Sequence, residues 1–72
     1  MAFSDNVKRL REQKGLTQAQ LAEQIGISQV MIAQYERGTK VPTIIVGDLL
    51  AKNFGVSMEE LLNGNEGTDK HE

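Results

Sequence analysis

Apolar residues recur along this chain at helical rather than strand spacing. Val7 and Leu10 mark one face of a first segment. Leu21, Ala22 and Ile25 mark a second, with Leu16 and Ile27 at its flanks. Ile32 and Tyr35, three apart, mark a third. Ile44, Leu50, Ala51 and Phe54 line a fourth, and Val56, Met58, Leu61 and Leu62 follow. No segment alternates apolar and polar residues as a half-buried strand does.

The polar residues divide these segments at matching points. Gly15, Gly26, Gly38, Gly55 and Gly64 each follow a helix-length stretch, where a residue tolerant of the left-handed region closes a helix. A hydroxyl residue precedes each stretch: Ser4, Thr17, Ser28, Thr43 and Ser57. Thr17-x-x-Gln20 and Ser57-x-x-Glu60 are capping boxes. The pattern predicts five helices, over 5–14, 18–25, 29–37, 44–53 and 58–63. The fold class expected is all-α, a compact five-helix bundle with one core and a small C-terminal satellite. Residues 1–64 form the expected domain. Residues 65–72 carry no apolar side chain and are expected to be a disordered acidic tail.

Two of these helices stand close together. Those over 18–25 and 29–37 are about two turns each and are joined by Gly26-Ile27-Ser28. A short turn containing Gly, with an apolar residue tucked in, is the helix-turn-helix signature. Ala22 and Gly26 permit close approach, and Ile32 fills the angle. The same pair also arises as plain packing in a helical bundle, so both readings stand on pattern alone. On a helical wheel, Gln29, Val30, Ala33, Gln34 and Arg37 share the side opposite Ile32 and Tyr35. That outward face is short or amide-bearing, with one charge.

Composition narrows the field. Seventy-two residues make one domain, near the lower limit for folding alone. There is no cysteine, hence no disulfide and no thiolate metal site. The apolar runs are far short of the roughly 20 residues of a membrane span, and the N-terminus does not read as a secretory signal. The expected location is cytoplasmic, at the nucleoid. The net charge of −2 hides a division: residues 1–53 carry +2 and residues 54–72 carry −4. An enzyme is excluded as a reading. The sole histidine, His71, lies in the polar tail, no metal-ligand cluster exists, and no phosphate-cradling loop follows a strand. Ser4, Ser28 and Ser57 are better explained as caps than as nucleophiles. No cofactor and no small-molecule ligand are expected.

The segments "RLREQKGLTQAQLAEQIGIS" (9–28), "YERGTKVP" (35–42) and "LLAKNFGVSMEELLNG" (49–64) resemble the phage Cro/repressor-type, or XRE-like, helix-turn-helix regulators. The resemblance implies a five-helix all-α domain, binding to double-stranded DNA operators, and a two-fold homodimer. It places the helix 29–37 in the major groove. Gln29, Val30, Ala33 and Gln34 are then the base-reading candidates: a glutamine pairs with adenine N6/N7, and a valine meets a thymine methyl. Thr17, Gln18, Ser28, Arg37, Thr39 and Lys40 are the phosphate candidates. For Thr17 and Ser28 the capping role stands beside the phosphate role, and for Arg37 a solvated surface charge stands beside it. The resemblance also implies that Gln18 braces Gln29, and that Arg11 and Glu36 form a structural ion pair.

Two features depart from the family. The reading face is more neutral than that of many relatives, which predicts A·T-leaning contacts and a modest salt dependence. In the fourth helix the inward positions 44, 47, 50, 51 and 54 include a glycine, while Ile45, Val46 and Leu49 fall on faces that should be wet. With Leu62 they form a candidate dimer interface; a register shifted by one makes them core instead. The functional expectation is a sequence-specific regulator, a repressor acting on a palindromic operator. The alternative is an antitoxin or adapter that works mainly through a protein partner.

Overall fold

The computed structural model describes residues 3–64. The expected tail and His71 lie outside the described residues. Five helices follow in order: α1 (Phe3–Gln13), α2 (Gln18–Ile25), α3 (Gln29–Arg37), α4 (Ile44–Phe54) and α5 (Met58–Asn63). No strand occurs among the described residues.

The caps are those that the sequence predicts for four of the five helices. Thr17, Ser28, Thr43 and Ser57 sit in extended backbone, and each side chain accepts an N–H from the first turn of its helix. Helix α1 differs. Its first described residue is Phe3, so Ser4 lies within the helix and not at the cap position before it. Tertiary contact explains the earlier start. The Phe3 ring meets Tyr35 edge-on, with centroids 6.0 Å apart and planes at 71°. Ser4 lies beside Gly38, where a glycine Cβ would stand 3.6 Å from its hydroxyl.

Val7, Leu10, Leu21, Ala22, Ile32, Tyr35, Leu50, Ala51 and Leu61 form one buried cluster drawn from all five helices. Helix α1 packs on α3 and α5, α2 packs on α3 and α4, and α4 packs on α5. Leu16, Ile25 and Ile27 are half-buried around the α2–α3 corner. At that corner the N–H groups of Gly26 and Ile27 both return to the Ala22 carbonyl, at 2.8 and 3.0 Å. Gly26 turns the chain with φ 79°, a conformation that disfavours any residue with a Cβ.

Helix α4 corrects the expected inward face. Ile44 is 81% exposed and is no part of the core. The buried face is Gly47, Leu50 and Ala51, with Val46 and Phe54 half-buried against the core. Gly47 has a packing reason. A Cβ there would stand 3.0 Å from Met58 Cε, 3.4 Å from Met58 Sδ and 3.8 Å from Pro42 Cγ. The Met58 thioether thus lies on bare α4 backbone and brings α5 close. A short first turn of α4 extends past the rim of the core and leaves Ile44 in solvent.

Helix α5 is held by a buried polar contact that the apolar pattern does not reveal. Asn6 is 1% exposed. Its Nδ2 donates to the Leu61 carbonyl at 2.9 Å, and its Oδ1 accepts from Arg9 Nη2 at 3.3 Å. The last carbonyls of a helix have no partner within the helix; Asn6 supplies one from α1. Exposed polar links tie the other helices. Lys14 Nζ donates to the Asn53 carbonyl at 2.7 Å, and Asn53 Nδ2 donates to Gln24 Oε1 at 2.8 Å.

Candidate nucleic-acid interface

Helix α2 opens with a complete capping box. Gln20 N–H donates to Thr17 Oγ1 at 3.0 Å, and Thr17 N–H donates to Gln20 Oε1 at 2.8 Å. Helix α3 opens with Met31 N–H donating to Ser28 Oγ at 3.2 Å. Neither helix carries an acidic residue in its first turn. Neither first turn therefore adds a carboxylate of its own to offset the positive end of its helix dipole, which favours an anion there.

The face of α3 follows from its burial. Ile32 and Tyr35 are buried against the other helices. On the other side Gln29 and Arg37 are exposed, and Val30 is 64% exposed. Ala33 and Gln34 are half-buried, so the most accessible part of the outward face is its first turn. Burial pushes the Tyr35 hydroxyl above its ordinary pKa. After α3, Thr39 N–H and Oγ1–H both donate to the Gln34 carbonyl, at 3.0 and 3.2 Å. The Thr39 hydroxyl is thus part of the α3 terminus. Lys40 is exposed.

Arg11 and Glu36 join α1 to the end of α3. Arg11 Nε donates to Glu36 Oε2 at 2.6 Å, and Nη2 donates to Oε1 at 3.0 Å. The side chains are 12% and 5% exposed. Arg11 Nη1 also donates to the Leu16 carbonyl at 2.7 Å. The hydrogen bond to Glu36 raises the guanidinium pKa, against the opposing effect of burial. Gln18 Nε2 donates to Glu36 Oε1 at 3.1 Å. The partner of Gln18 in this structure is therefore Glu36, at the far end of α3 from the Gln29 that the family resemblance implies.

The candidate interface residues on α4 and α5 separate into two groups. Ile45 is 74% exposed, and Leu49 and Leu62 are also open. Val46 turns inward and packs on the core. Val41 and Ile44 add two large exposed apolar side chains that sequence reasoning did not single out. Ile44 was hidden by its helical spacing from Leu50 and Ala51, and Val41 by its place in a loop.

Two short capped helices crossing at Gly26, a buried Ile32 between them and an uncharged first turn facing outward define a helix-turn-helix DNA-binding domain. The chain belongs to the phage-repressor-like, XRE-type helix-turn-helix family of transcriptional regulators: the Helix-turn-helix family model matches residues 7–61. It is 39% identical over 66 residues to the HTH-type transcriptional activator BcrR of Enterococcus faecalis, covering 92% of this chain and 32% of that protein. It is 41% identical over 63 residues to the uncharacterized HTH-type transcriptional regulator y4dJ of Sinorhizobium fredii, covering 88% and 82%. The crystal structure of the P22 c2 repressor in complex with a synthetic operator superposes with a TM-score of 0.86 at 28% identity, covering 90% of this chain and 98% of that one. The chain thus spans about a third of the length of BcrR and most of y4dJ.

Proposed function

We propose that the chain binds a palindromic operator as a homodimer, with α3 of each copy in the major groove, and represses by occupying the promoter. The observation that carries this reading is the acid-free first turn of α3, where Gln29 and Val30 are open to solvent while Ile32 and Tyr35 anchor the helix from behind. Gln29 reads adenine through a paired donor and acceptor, and Val30 packs on a thymine methyl. Ala33 lets the helix approach, and Gln34 reaches a base at the edge of the site. Thr17, Gln18, Ser28, Arg37, Thr39 and Lys40 line the flanking backbone and fix the register. The P22 c2 repressor, similar over nearly the whole described chain, is bound to an operator in its crystal structure, which supports the same docking here.

The dimer reading rests on Ile45, Leu49 and Leu62, apolar side chains that water does not favour and the core does not use. Val46 supports them from behind. In a two-fold complex the α3 helices sit about 34 Å apart, one turn of DNA.

In-vitro selection on random duplex DNA, beside a Gln29→Ala variant at one fixed salt, tests the reading. A palindrome rich in A·T positions, relaxed at specific bases in the variant, is the expected result. Enrichment no better than non-specific binding rejects it and makes a search for a protein partner the next step. Leu49→Glu separates dimerisation from folding: a folded monomer by sedimentation is expected, and an unfolded chain assigns Leu49 to the core.

A further inference from the structure

Glu36 is an unexpected side chain at the end of a helix that faces DNA. Its charge repels phosphate and sits at the negative end of the α3 dipole. Arg11 neutralises that charge through two hydrogen bonds. Neutralisation does not account for the third bond, from Gln18 Nε2 to Glu36 Oε1. It is the only side-chain hydrogen bond between α2 and α3 among the described residues. A carboxylate accepts and cannot donate. The Gln18 amide is therefore fixed one way round, nitrogen toward Glu36 and oxygen away. One Nε2 hydrogen is engaged and the other is left to donate. Arg11 meanwhile holds the Leu16 carbonyl, immediately before the Thr17 cap. The start of α2 is thus tied at two points, Leu16 and Gln18, to one nearly buried ion pair.

We propose that Glu36 is a positioning residue for DNA binding: with Arg11 behind it, it holds the Gln18 amide at the start of α2 so that the remaining Nε2 hydrogen is presented to a backbone phosphate. The inference rests on the reading that the N-terminus of α2 meets DNA. It assigns a role to Glu36 beyond scaffold, exerted through Gln18 rather than through any contact with a base.

The test is a double-mutant cycle in DNA affinity. Gln18→Ala is made in the natural chain and in an Arg11→Met/Glu36→Met background. That background removes one positive and one negative charge, so the net charge is unchanged. Replacing a buried ion pair by apolar side chains of similar volume is often neutral for stability. Binding of each protein to a duplex from the selection is measured at one salt, with a thermal melt to establish folding. A hydrogen bond to a charged group is worth about a factor of ten or more in affinity. Gln18→Ala is therefore expected to weaken binding about tenfold in the natural chain and less than twofold in the Met/Met background. Equal losses in both backgrounds overturn the proposal and leave DNA binding by α3 standing. No binding by the natural chain overturns both. If the Met/Met background does not fold, nuclear magnetic resonance of the natural chain decides. The Gln18 side-chain amide, assigned by its loss in Gln18→Ala, should show one shifted, exchange-protected proton. Two solvent-like protons overturn the proposal.

Discussion

Thr17-x-x-Gln20 and Ser57-x-x-Glu60 cap α2 and α5 with the same pair of hydrogen bonds, at distances between 2.8 and 3.0 Å. The two helix ends nevertheless differ in charge. The reciprocal acceptor is an amide in α2 and a carboxylate in α5, and Glu59 adds a second acid to the first turn of α5. Either acceptor satisfies the cap N–H. Only the carboxylate also neutralises the helix dipole and gains the further stabilisation that an acid brings there. Helix α2 forgoes that gain, and its own first turn carries no charge. The difference teaches that local stability and binding are separable in one motif: the hydrogen-bond pattern sets the helix, and the charge of the third residue sets what the helix end can hold. The tertiary anchors differ in the same sense. Helix α5 is tied by a neutral bond from Asn6, and the start of α2 by the charged Arg11–Glu36 pair.

The strongest way to break the α2 side is Arg11→Met alone. It leaves Glu36, 5% exposed, without its cation. A loss of about 3–5 kcal/mol is expected by denaturant titration, and a loss under about 1 kcal/mol would show that the pair is solvated. On the α5 side, Asn6→Ala removes the partner of the Leu61 carbonyl. Here about 1–3 kcal/mol should be lost, with faster hydrogen exchange concentrated in α5. Exchange rising evenly over all helices contradicts a local tie.

Exchanging the two box residues sharpens the comparison further. Gln20→Glu keeps the box, is expected to gain about 0.3–1 kcal/mol of stability from the dipole, and should bind duplex DNA about two- to fivefold more weakly, the factor to which that energy corresponds. Glu60→Gln should lose a similar few tenths of stability and leave DNA affinity unchanged. Equal effects of the two on binding remove the distinction between the helix ends. The smallest effect belongs to Gly47→Ala. Helix propensity gives about 1 kcal/mol to alanine, while the new methyl stands 3.0 Å from the flexible end of Met58. A melting midpoint within a few degrees of the natural chain is expected; a bulky Gly47→Leu should be clearly destabilised.

Much of this fold is legible in the residues alone because it is local. Helical spacing, a hydroxyl before each of α2 to α5 and a glycine after each are short-range signals, and they place four helices to within a residue. The acid-free outward face of α3 is equally readable, since it needs only the positions of Ile32 and Tyr35 and a period of 3.6. What spacing could not give was rotation and partnership. Ile44 fits the apolar stripe of α4 by number and lies in solvent by geometry, because the buried face of the helix runs through Gly47, Leu50 and Ala51 and Ile44 stands at its first residue. Ser4 has the chemistry of a cap and is overruled by the Phe3–Tyr35 contact. Gln18 could hydrogen-bond many groups, and only the crossing of α2 over the end of α3 selects Glu36. The sequence by itself determined the five helices, the caps of four of them and the acid-free outward side of α3. The tertiary structure alone decided the buried Asn6, the exposed rim of α4 and the bond from Gln18 to Glu36, because each depends on how whole helices pack against one another, which no local pattern encodes.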